Sequence, residues 1–168
     1  MTAPAAEQDR AFVLVDDRST LAAVRLQLLA DARRQLAIRL PRLTPDTCAS
    51  AQELAELRRI ATAGRCTEIR LLLHEPAAAQ RDGHRLIDLA QRLPSAWQIR
   101  VPVEPVDLDC PSAWLLNDAG GYLFQPDAER PHGRASRRDR AAQVPLRQRF
   151  DEAWERSVRA RELQTLDL

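Results

Sequence analysis

Cys110-Pro-Ser-Ala-Trp-Leu-Leu-Asn-Asp-Ala-Gly-Gly-Tyr-Leu-Phe-Gln-Pro126 holds two short apolar runs around the turn Asn117-Asp118-Ala119-Gly120-Gly121. Apolar runs joined through a glycine pair spell a β-hairpin. Upstream the chain alternates differently. Trp97–Val101, Thr67–Leu73, Leu36–Leu40 and Phe12–Val15 read as buried strands. Between them lie stretches with apolar residues at three- and four-residue steps, such as Leu21, Val24, Leu28 and Ala32.

Local punctuation agrees with that alternation. Asp17 or Ser19 caps a first helix, which runs to about Arg34. Ser50-Ala-Gln-Glu53 has capping-box spacing for a second, with Gly64 placed to end it in the left-handed conformation. Pro76 opens a third helix running to about Leu93, with Gly83 as an interior blemish, and Pro145 opens a last one. Residues 126–144 are polar and read as a long exposed, flexible loop. Residues 1–10 and 161–168 read as tails around a single domain at 11–160. Helices between strands imply right-handed crossovers, so the expected fold is α/β: a mixed, mostly parallel sheet with helices on both faces.

The net charge of +1 does not fit a globally basic nucleic-acid protein, although a local patch is compatible with it. All 25 basic residues are arginine, which excludes Schiff-base chemistry and a lysine phosphate clamp. Cys48, Cys66 and Cys110 are odd in number and far apart, which suits a reducing compartment better than a disulfide framework. No spacing suggests a metal or a cofactor, and no apolar run reaches the roughly 18 residues that span a membrane. The expected location is the cytoplasm.

The order of elements resembles one half of the phospholipase D superfamily over about Phe12 to Ser157. Ala30 to Ile38 is similar to that fold's first helix running into its strand. Leu57 through Gly64 to Leu73 is similar to its helix, glycine, strand step. Phe150-Asp-Glu-Ala-Trp154 is similar to its closing helix. Gly83–Leu86 through Gln91–Ser95 carries a closer likeness to an uncharacterised bacterial family of this half-domain kind. The resemblance implies His-x-Lys-x-x-x-x-Asp chemistry beside the hairpin, with two copies meeting across a twofold axis. With Asp118 at the motif's aspartate, Pro111 stands at the nucleophile and Ala113 at the lysine. Neither side chain can attack or donate. Asp118 itself is either the motif's remnant or a turn residue. The expected protein is therefore a catalytically inactive binding or interaction module, working with a protein partner or as a homodimer.

Two other readings stand beside it. His74 and Glu75, at the carboxyl end of the central strand, could join Asp82 and His84 in a relocated hydrolase or phosphodiesterase site, or be ordinary strand-end and helix residues. Arg130, Arg134, Arg137, Arg138 and Arg140 are candidate phosphate contacts for weak nucleic-acid binding, or a solvated loop.

Overall fold

The computed structural model describes residues 12–163. The tail expected at 1–10 and residues 164–168 lie outside the described residues. The elements run β1 (Val13–Val15), α1 (Arg18–Asp31), β2 (Gln35–Leu40), α2 (Ala51–Ala61), β3 (Glu68–Leu73), α3 (Pro76–Arg81), α4 (Arg85–Arg92) and β4 (Trp97–Val101). They continue with α5 (Pro105–Leu108), β5 (Ala113–Asn117), β6 (Tyr122–Gln125), β7 (Gly133–Ser136), α6 (Arg140–Arg156), β8 (Val158–Arg159) and a 3-10 turn at Arg161–Leu163.

The strands form one sheet in the order β1-β7-β6-β5-β2-β3-β4-β8. Only β2/β3 and β3/β4 are parallel; the other five of the seven neighbouring pairs are antiparallel. The expectation of a mostly parallel sheet is thus corrected. Crossover logic holds only for β2, β3 and β4. The first strand bypasses β2 and pairs with β7 at the far edge, and the hairpin lays β5 antiparallel against β2.

Strand alternation sorts the side chains onto two faces. Leu36, Ile38, Ile69, Leu71, Leu115 and Leu123 pack with Leu28 of α1, Leu57 of α2 and Leu86 of α4. On the other face Ala37, Leu72, Trp114, Leu116 and Tyr122 meet Leu146, Phe150, Ala153 and Trp154 of α6.

Asp17 caps α1, its carboxylate accepting the Thr20 N–H at 2.6 Å. The Ser50–Glu53 capping box is present in full at α2. That helix closes at Thr62, and Gly64 lies beyond the cap with φ of 151°, not in the left-handed helical conformation. The single helix expected after Pro76 is two. Gly83 takes φ of 64°, which glycine adopts freely, and His84 starts α4 by accepting the Leu86 N–H on Nδ1 at 3.1 Å. The expected loop at 126–144 contains β7 and the first turn of α6. Gly133 makes β7 possible, because a Cβ there would sit 2.3 Å from the Phe124 carbonyl oxygen. The last helix opens at Arg140 under an Asp139 cap, and Pro145 lies in its exposed second turn. No helix among the described residues is long and apolar enough to cross a membrane.

Candidate functional site

β5 begins beside a cleft of about 850 Å³. Ile38, Leu40, Ala113, Leu115 and Leu123 give it an apolar floor, while Arg18, Arg25, Arg42 and Arg130 stand around its rim with Asp46, Asp82 and Asp127. Pro111 and Ala113, the residues set against the motif's histidine and lysine above, both line it. Cys48 also lines it, fully buried, with its thiol pushed up to about 12 by burial. A thiol that resists ionisation is inert at neutral pH. The Thr44 and Thr47 hydroxyls bond each other at 2.7 Å. Arg25 is held by Glu53, which also serves the α2 cap. The cleft has the volume of a small-molecule site, and its lining contains no histidine.

The two candidate histidines are on opposite faces of the sheet. His84 lies on the cleft side, where α4 packs. Its Nε2 donates to the Thr44 carbonyl at 2.8 Å and its Nδ1 is spent on the helix cap, so both nitrogens have structural work. His74 lies on the α6 side, with Nε2 3.4 Å from Arg39 Nη2. Glu75 is an exposed residue at the start of α3 without a side-chain cap bond. His74, Glu75 and His84 therefore do not converge.

His74 belongs to a cluster that the sequence reading missed. The buried Arg39 guanidinium donates to the Asp107 carbonyl at 2.6 Å, and the Asp107 carboxylate takes two bonds from Arg156, at 2.9 and 3.0 Å. An arginine in the middle of the apolar run Leu36–Leu40 was the available signal. The Arg156 bonds hold the Asp107 carboxyl below its ordinary range. Burial, then the Arg39 charge, pushes the His74 imidazole below its own.

Both shifts make acid destabilising. The unfolded chain takes up a proton at His74 near pH 6.5, where the folded state resists it. The Asp107 contribution persists until about pH 4 and is lost below it. Melting curves of the wild type should therefore fall in midpoint from pH 7 to pH 5, and His74→Gln should flatten that slope. An unchanged slope in the variant would remove His74 from the account.

The arginines of the 130–140 segment are mostly engaged within the fold. Arg130 pairs with Asp127 at 3.7 Å, and Arg134 lies 4.8 Å over the Phe124 ring. Arg137 grips Asp31 with bonds of 2.8 and 2.9 Å. Arg140 donates to the Asp118 carbonyl at 3.0 Å. Arg134 and Arg138 are exposed.

Asp118 does more than turn the chain. Its carboxylate accepts the backbone N–H groups of Arg33 and Arg34 at 2.8 and 2.9 Å, fixing the step from α1 into β2. Asn117 beside it is fully buried. Its Nδ2 donates to the Leu28 carbonyl at 2.9 Å, and its Oδ1 accepts from Ala119 and Gly121 at 3.1 and 2.8 Å. Gln143 of α6 donates to the Asn117 and Gly121 carbonyls at 2.8 and 2.7 Å. Gly120 sits at φ of 85°, and a Cβ on Gly121 would lie 2.7 Å from the Leu28 side chain. The hairpin turn is thus where α1, β2 and α6 are joined. Among the described residues no group of three or more His, Cys, Asp or Glu is placed to hold a metal.

Comparison with known proteins fits this geometry. Residues 16–166 match a family model described as a domain of unknown function, DUF7931. No curated protein sequence matches. Among solved structures, a phospholipase D family member, Nuc from Salmonella typhimurium, superposes with a TM-score of 0.61 at 7% identity, over 90% of this chain and 99% of that one. TrmBL2, an archaeal chromatin protein whose structure shows a novel mode of DNA binding, gives 0.63 at 11% identity, over 89% of this chain. The chain spans about half the length of TrmBL2, 55%. At these identities the likeness is one of fold.

Proposed function

We propose that this chain, which belongs to the DUF7931 family of domains of unknown function, is a non-catalytic binding module on a phospholipase D-like half domain. The cleft beside β5 carries the reading. Its volume of about 850 Å³ falls within the usual size of small-molecule sites. Proline and alanine occupy the wall where the superfamily's motif would place its reactive pair. A ligand would rest on the apolar floor, and the rim arginines would orient it. The module would work in the cytoplasm beside a protein partner or a second copy.

The test pairs an activity assay with a binding assay. Hydrolysis of bis(p-nitrophenyl) phosphate should stay at background in the purified protein. Small molecules that raise the melting midpoint should lose that effect in Ala22→Trp, where an indole on an exposed rim residue blocks the cleft. Turnover abolished by His74→Ala would overturn the non-catalytic reading.

A weaker, second reading is nucleic-acid contact through exposed Arg134 and Arg138, supported by the fold's likeness to a DNA-binding protein. Affinity for a labelled duplex that persists at physiological salt, and falls when both become alanine, would favour it.

A further inference from the structure

The α6 side of the sheet holds buried N–H groups for which the fold supplies no acceptor. Arg39 is 1% exposed and its Nε has no partner; Trp114 is 3% exposed and its Nε1 has none either. These residues are directly paired across the β2/β5 ladder. The Arg39 guanidinium lies 5.5 Å from the Trp114 ring centroid, and that of Arg149, from α6, lies 5.0 Å from the same ring.

Two cations thus share one aromatic ring. Neither has a carboxylate at ion-pair distance among the described residues. The neighbouring acid, Asp107, has its carboxylate engaged by Arg156. An arginine charge removed from water is costly unless an opposite charge and hydrogen-bond acceptors accompany it. Two orphaned donors beside excess positive charge call for a group that is negative and accepts only. His74 and Cys110, both partly exposed, flank Arg39 at the edge of this layer.

We propose that Arg39, Trp114 and Arg149 form a site for a small anion, of inorganic phosphate size or smaller. Its side chains belong to the α6 face of β2 and β5, although Trp114 also borders the cleft of the other face, and the proposal does not depend on the reading given for the cleft. The Arg39 Nε–H and Trp114 Nε1–H would donate to the anion, and Arg149 would close over it from α6.

Unfolding followed by circular dichroism tests this, with inorganic phosphate or chloride titrated at constant ionic strength against gluconate. The midpoint should rise with the logarithm of one ion's concentration once that exceeds the dissociation constant, by about 3 °C at ten times that constant. Trp114→Phe keeps the ring and deletes one donor. Arg149→Gln removes an exposed charge. Each should raise the concentration at which that rise begins about tenfold, the ratio that follows from losing one hydrogen bond to a charge. Neither change threatens the fold in the way that Arg39→Gln would. A midpoint that ignores both ions would mean that water fills the site, and the proposal falls. A concentration dependence unaltered in both variants would place the anion elsewhere and overturn it equally.

Discussion

Phe150→Ala should lower the stability of the domain by about 4 kcal/mol, the usual cost of removing a fully buried aromatic ring. The reason lies in how differently the two faces of the sheet are covered. Four helices share the load on the cleft side, whereas α6 supplies Leu146, Phe150, Ala153 and Trp154 to the other face by itself. Phe150 is the fully buried one of these, and its ring stacks on Trp154 at a centroid distance of 5.7 Å. Its loss opens a cavity that Trp154 cannot fill without leaving Arg70 and Arg100, which lie 5.6 and 4.6 Å from its ring. For a domain of this size the melting midpoint should drop by about 10 °C. A drop under about 3 °C would show that α6 contributes little to stability.

Asn117→Ala should cost about 3 kcal/mol, measured by urea unfolding. The residue makes three side-chain hydrogen bonds with no access to water. Alanine would leave the Gly121 N–H without an acceptor in a buried site, at about 1–3 kcal/mol for such a group. It would also detach the turn from the end of α1. Asn117→Asp separates the two halves of this role. It keeps an acceptor for Ala119 and Gly121 but places a second acceptor against the Leu28 carbonyl. It should therefore be no more stable than the alanine variant. If it matched the wild type, the bond to Leu28 would carry no weight.

The hairpin was legible because its turn obeys a local rule: Gly120 needs a left-handed backbone and Gly121 has no room for a side chain. The caps at Asp17 and Ser50 were legible for the same reason, since each is settled within four residues. What stayed hidden was non-local. β7 is a four-residue segment, Gly133–Ser136, too polar and short to show a period, and it exists because β6 and β1 accept it on both sides. The direction of the sheet depended on where β1 would pair, a fact carried by a partner at the other end of the chain. Within the site, Pro111 and Ala113 were readable as chemically silent, and the structure places both on one cleft wall. The α6-side cluster depends on α5, a four-residue helix opened by Pro105 and too short to show an apolar period.

The pairing of Val13 with Ala135 has a consequence for synthesis on the ribosome. Among the described strands, β1 waits longest for its neighbour, because β7 lies more than a hundred residues further along the chain. Until β7 has left the exit tunnel, β1 has no edge to join, while β2, β3 and β4 can already assemble with their crossovers. At about 5–20 residues per second that wait lasts several seconds or more. Through it the nascent chain carries an unpaired apolar segment, Val13-Leu-Val15, exposed to whatever else is present. Chaperone capture during translation is therefore expected at this N-terminal strand rather than at the more hydrophobic β3.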